Sequence, residues 1–186
     1  MKTVRSYYRS VIGIAVLAVS AYAQGEADIA LGVAEFEGNL NSYIERRAEI
    51  KAGMPKLGDS ATPEEIDRHR TELLKAVSKE RQSAKQGDIL TPAAVDSLRY
   101  LILKEYKEDE LTALRKTIFE AENKNVKLVV NAVYPPSEER LEMPPRLLET
   151  LPTLPKELRY RFVGDALLIV DKENELILDI ARNILP

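Results

Sequence analysis

The spacing of apolar residues changes once along this chain, near residue 125, and that change limits the folds open to it. Before residue 125 the apolar positions recur at gaps of three and four, the period of a helix with one buried face. After it they alternate, the period of a strand. Helices followed by strands imply an α+β fold, with a helical N-terminal half of about four helices packed with a small, mostly antiparallel C-terminal sheet. Regions 24–125 and 126–186 are expected to act as one unit. The pattern alone leaves open one domain or two closely docked subdomains. No internal repeat of solenoid length is present.

In the first helix Ile29, Val33, Phe36, Leu40, Tyr43 and Ile50 form a stripe, with Arg47 standing where the next apolar residue should be. Gly32, Gly38 and the arginine disfavour a coiled-coil dimer seam and favour an intramolecular helical hairpin. The cluster Gly53-Met54-Pro55-Lys56-Leu57-Gly58 ends this helix. Thr62-Pro63-Glu64-Glu65 opens the next with a capping box and an N1 proline. On that helix Ile66, His69, Leu73, Val77 and Ala84 share a face, and Gly87 is expected to close it. Thr91-Pro92 starts a third helix with Val95, Leu98, Leu101 and Ile102 inward. A fourth, about 109–122, turns Leu111, Leu114, Ile118 and Phe119 inward, and Asn123-Lys124-Asn125 stops it.

A strand is predicted over 126–134, halted by Pro135-Pro136. A proline-rich crossing follows, with a single helical turn at 146–150. Leu158, Tyr160 and Phe162 then form one face of a strand, Gly164-Asp165 marks a hairpin, and 166–170 returns antiparallel. Residues 175–181 fit either a strand or a helix. The turn residues Asp171 to Asn174 favour the strand.

Residues 1–23 carry the features of a cleavable signal peptide. Lys2, Arg5 and Arg9 make a basic start, Val11 to Ala21 is apolar but shorter than the roughly 20 residues a bilayer span needs, and Ala21-Tyr22-Ala23 supplies a small-x-small cleavage pattern. The expected product begins at Gln24, lies in the periplasm or outside the cell, and has no transmembrane segment. The full chain holds 27 basic and 30 acidic residues. Removing the signal takes three basic residues with it, leaving 24 against 30, a net charge of −6 over 163 residues. That balance opposes sequence-independent nucleic-acid binding, which needs a basic surface. A chain of this length buries enough surface to fold without staples, in keeping with its lack of cysteine.

The same lack removes thiol nucleophiles and thiolate metal sites, and the single histidine, His69, rules out multi-histidine metal sites. Glu65, His69 and Glu72 fall at i, i+4 and i+7, so one helix face offers three donors. His69 is bracketed by Ile66 and Leu73, however, and reads as a histidine at the edge of a core. No Gly-x-Ser-x-Gly elbow, Walker loop or Gly-x-Gly-x-x-Gly occurs. The acidic run from Asp171 resembles a calcium loop, but Leu176 and Arg182 stand where glycine and glutamate are required. The remaining enzymatic reading uses paired carboxylates among Asp165, Asp171, Glu173, Glu175 and Asp179 to hydrolyse cell-envelope material. No catalytic, metal or cofactor-binding residue is assigned, and no cofactor is expected. In Met143 to Pro155, Leu147, Leu148, Leu151 and Leu154 need cover, either from a partner or from the chain itself, with the segment strapping helices to sheet.

The phrases Gly87-Asp88-Ile89-Leu90-Thr91-Pro92, Asn131-Ala132-Val133-Tyr134-Pro135, Met143-Pro144-Pro145, Leu151-Pro152-Thr153-Leu154-Pro155 and Tyr160-Arg161-Phe162-Val163-Gly164 resemble those of a group of exported bacterial proteins with no assigned activity. The resemblance implies export and a single evolutionary unit, and it transfers no catalytic residue. The expectation is therefore a non-catalytic exported interaction or structural module with a protein or envelope partner of unknown identity; the alternative is the carboxylate hydrolase.

Overall fold

The computed structural model describes residues 4–120, 128–134 and 144–185, with 4–23 and 119–120 as backbone only. Helix α1 (Val4–Ala52) is followed by α2 (Pro63–Glu80), α3 (Pro92–Glu105), α4 (Glu108–Glu120) and the short α5 (Pro145–Thr150). Strands β1 (Leu158–Val163), β2 (Ala166–Asp171) and β3 (Ile177–Ala181) complete the chain. The strands form one antiparallel sheet in the order β1-β2-β3, so the α+β expectation holds. Among the described residues no helix is long and apolar enough to cross a membrane.

Helix α1 is continuous through the expected processing point after Ala23, and its stripe works as the spacing implied. Phe36, Leu40 and Tyr43 are buried, and Ile29, Val33 and Ile50 are half-buried at its margins. Its main neighbour is α3 rather than α2. Gly32 makes that approach possible: a Cβ there would stand 2.2 Å from Ser97 Oγ and 2.5 Å from the Ala93 carbonyl oxygen. The glycine that weakened the coiled-coil reading is thus the point where two helices of one chain meet most closely.

Both capping expectations hold. The Thr62 hydroxyl accepts from Glu65 N while the Glu65 carboxylate accepts from Thr62 N, and Thr91 accepts from Ala94 N. Helix α2 buries His69, Leu73 and Val77 but leaves Ile66 exposed, and it ends at Glu80, well before Gly87. Its last turn is closed by Arg81 N donating to Val77 O. Gly87, at φ 93°, instead bends the loop that follows. In α3, Ala94, Ser97, Leu98 and Ile102 are buried, with Val95 and Leu101 only partly so. Leu111, Leu114 and Ile118 of α4 are buried.

The sheet alternates as its sequence does. Leu158, Tyr160, Phe162, Leu167 and Ile169 face the helices, and Ala166, Leu168 and Val170 join Ile177, Ile180 and Tyr134 in a second core on the other face. The ambiguous 175–181 segment is a strand from Ile177, packed on both faces and so apolar nearly throughout. A bulge where Ile169 pairs Asp179 but Val170 pairs Ile177 inserts Leu178 as an extra residue. It turns Leu178 and Asp179 both to the helix side.

The expected strand over 126–134 is not formed in residues 128–134. Only Val133 bridges, to Leu176. The cause is Asn131, which adopts a left-handed backbone at φ 67° while its Nδ2 donates to Ser78 O at 2.9 Å. That anchor turns the chain inside the predicted strand. The segment still borders β3, through Asn131 N to Ile177 O and Ile177 N to Ala132 O. Val126, Lys127 and the stops predicted at 123–125 and 135–136 lie outside the described residues.

Phe162 points into the helix–sheet core, so Phe162→Ala should cost about 3–5 kcal/mol. Gly32→Ala should cost about 1–3 kcal/mol by forcing α1 and α3 apart, and Thr62→Ala or Thr91→Ala about 1 kcal/mol. Urea melts of the four variants rank these effects; a Phe162→Ala midpoint equal to wild type would reverse the assigned face of β1.

Candidate functional site

The residue that breaks the apolar stripe of α1 is the centre of the main polar cluster. Arg47 is 6 % exposed and faces the end of β2, where Asp171 is fully buried. Arg47 Nε lies 2.6 Å from Asp171 Oδ2, and one helical turn earlier Tyr43 donates its hydroxyl to the same oxygen at 2.6 Å. Arg47 Nη2 continues to Glu173 Oε2 at 2.6 Å, which Lys51 Nζ also reaches at 2.7 Å. Asp171 Oδ1 accepts from Glu173 N at 2.9 Å, fixing the turn that presents Glu173. Tyr43, Arg47 and Lys51 recur every four residues, so one face of α1 supplies the side-chain donors to both carboxylates, and Arg70 Nε of α2 donates to the Glu173 backbone oxygen at 2.7 Å.

Burial and the adjacent Asp171 carboxylate push the Tyr43 phenol well above its ordinary range. Burial alone would lower Arg47, but its bonds to Asp171 and Glu173 prevail and hold the guanidinium above its usual value. Burial likewise favours the neutral form of Glu173, yet Lys51 and Arg47 outweigh it and hold the carboxyl below the usual range. Tyr43, Arg47 and Glu173 are thus each shifted away from neutrality within one ion network.

Asp179 is held differently. Its Oδ2 accepts from Ile89 N at 2.7 Å and Leu90 N at 2.8 Å, its Oδ1 from Ile180 N at 2.7 Å, and Gly87 N is within 3.2 Å of both oxygens. The 87–90 loop is thus wrapped on one fully buried carboxylate, with Arg81 Nη2 donating to the neighbouring Leu178 O at 2.8 Å. Glu175 is bound by Arg159 and lies 3.7 Å from Arg161. Asp165 sits in the β1–β2 turn, where its backbone oxygen accepts from Ile184 N. Of the five carboxylates that made the hydrolase reading, four are therefore engaged by cations or backbone amides inside the fold. A carboxylate whose lone pairs are filled this way is a poor general base.

Glu65, His69 and Glu72 do lie around one hollow, of about 370 Å³, beneath the α1–α2 connection. Glu65 is partly committed to its capping box. Among the described residues no three His, Cys, Asp or Glu side chains are placed to hold a metal ion. In the proline-rich segment Leu147 and Leu151 are buried, Leu154 packs on the main core, and Tyr160 donates to Pro152 O at 2.8 Å. The segment straps helices to sheet, and only Leu148, at 47 % exposure, stays outside.

The Asp179 cage went unpredicted, although an aspartate inside the apolar run Leu176 to Ala181 was its signal. No family model, curated protein or solved structure matches this chain.

Breaking the buried pair from one side leaves an uncompensated charge, which typically costs about 3–5 kcal/mol. Asp171→Asn should fall in that range in urea melts, and adding Arg47→Met to it should restore part of the loss, giving a large coupling in the double-mutant cycle. Glu173 predicts a pH effect. Its folded carboxyl titrates below the unfolded value of about 4.3, so its contribution is complete above that value and is lost as pH falls through the folded one. Glu173→Gln should therefore flatten the acid limb of stability against pH, and an unchanged limb would show that the bridge contributes nothing.

Proposed function

We propose that the chain is a non-catalytic module, exported after removal of residues 1–23, that serves by binding or by structural support at the cell envelope or outside the cell. The observation that supports the non-catalytic part is the internal commitment of Asp171, Glu173, Glu175 and Asp179. The sequence concentrates acidic residues where a hydrolase would need them, and in the fold they hold α1 and the 87–90 loop to the sheet or, for Glu175, pair with the arginines of β1. Export rests on the basic, apolar and small-x-small order of the first 23 residues.

Two measurements test the two halves. Mass spectrometry of protein recovered from the exported fraction should find Gln24 as the N-terminus, and recovery of intact Met1 there would overturn export by cleavage. Purified protein incubated with isolated cell-wall polymer should release no soluble fragments. Release that is lost in Asp171→Asn or Asp179→Asn, in protein that still melts cooperatively, would establish the hydrolase instead.

A further inference from the structure

The only histidine of the chain takes no part in the networks above. His69 is 7 % exposed and has no hydrogen-bond partner among the described residues. Its ring nitrogens are nevertheless not sealed among the buried unpartnered atoms, because the ring lines the hollow beneath the α1–α2 connection. A polar group buried without a partner costs free energy unless something in the adjoining space bonds to it. The hollow, about 370 Å³, is at the small end of ligand sites, which run roughly 300–1,000 Å³. Pro55 and Gly58 shape one wall, and the first three turns of α2 make the other.

The charges around it are of both signs. Lys56 and Arg68 line it and make no ion pair among the described residues, and Glu72, one turn beyond Arg68, makes none either. Glu65 is half occupied by Thr62 N. In the α1–β2 cluster the charged groups are paired with each other, Arg47 with Asp171 and Glu173. Here opposite charges share a wall without joining, around an imidazole that can donate or accept.

We propose that this hollow binds a small zwitterion of amino-acid or dipeptide size, its carboxylate held by Arg68 and Lys56, its ammonium by Glu72, and its polar backbone by His69. The mixed charge set distinguishes it from a phosphate site, which would not carry two carboxylates, and from a metal site, which would need a third donor beside His69. The proposal goes beyond the module reading and stands whether or not the chain is exported.

Because His69 is the sole histidine, its imidazole proton resonance needs no assignment. Proton NMR of the purified full-length chain at constant pH, titrated with L-alanyl-L-alanine, should show that resonance moving saturably in the millimolar range or below. Acetate and methylammonium, each with one of the two charges, should move it far less at equal concentration. Arg68→Gln and Glu72→Gln, both at exposed positions, should each weaken the response about tenfold with unchanged urea midpoints. No movement with the dipeptide would overturn the proposal outright. An equal response to acetate would replace the zwitterion with a simple anion, and an unchanged response in both variants would move binding away from this hollow.

Discussion

A buried ion pair is the centre of the contact between the two halves of this molecule. Arg47 comes from near the C-terminal end of a helix whose remaining inward residues are apolar, and Asp171 from the last position of the central strand. Two desolvated charges repay their loss of water only with good geometry and further hydrogen bonds. Both conditions are met, since Tyr43 and the Glu173 amide fill the remaining lone pairs of Asp171 and Glu173 takes the free side of the guanidinium. Apolar packing between α1 and the sheet would tolerate small slips along the helix. The bidentate charge contact does not, so it fixes the rotation and register of α1 against β2.

Asp179 plays the corresponding part for the loop between α2 and α3. A loop of this kind carries backbone amides that a helix or strand would have paired. Gly87, Ile89 and Leu90 satisfy theirs on one carboxylate, and the β3 bulge puts that carboxylate on the helix side. Two acidic side chains thus replace what a longer sheet or a disulfide would otherwise supply, in a protein without cysteine.

Much of this was legible in the residues. Period and punctuation located the helices, both threonine caps, the 164–165 hairpin and the strap, because each depends on neighbours close in sequence. The features that escaped depend on neighbours far away. Asn131 reads as one more polar residue of an alternating strand until Ser78 is beside it. Gly32 reads as a weak spot in a helix until Ala93 and Ser97 approach it. The acidic residues of the last strands looked like a reservoir for catalysis because their partners, Arg47 and the 87–90 amides, lie 89 to 126 positions earlier in the chain. Arg47 was the exception, since a charge set into an apolar stripe advertises a buried partner without naming it.

The separation of those partners bears on how the chain acquires its shape during synthesis. A domain emerging N-terminus first can usually begin to settle before it is complete. Here the first long helix exposes a lone guanidinium on its inward face, and the carboxylate that neutralises it is 124 residues away. Until the sheet has been made, that guanidinium lacks the carboxylate that neutralises it. The contact that fixes α1 against β2 can therefore form only after the last strands have been made.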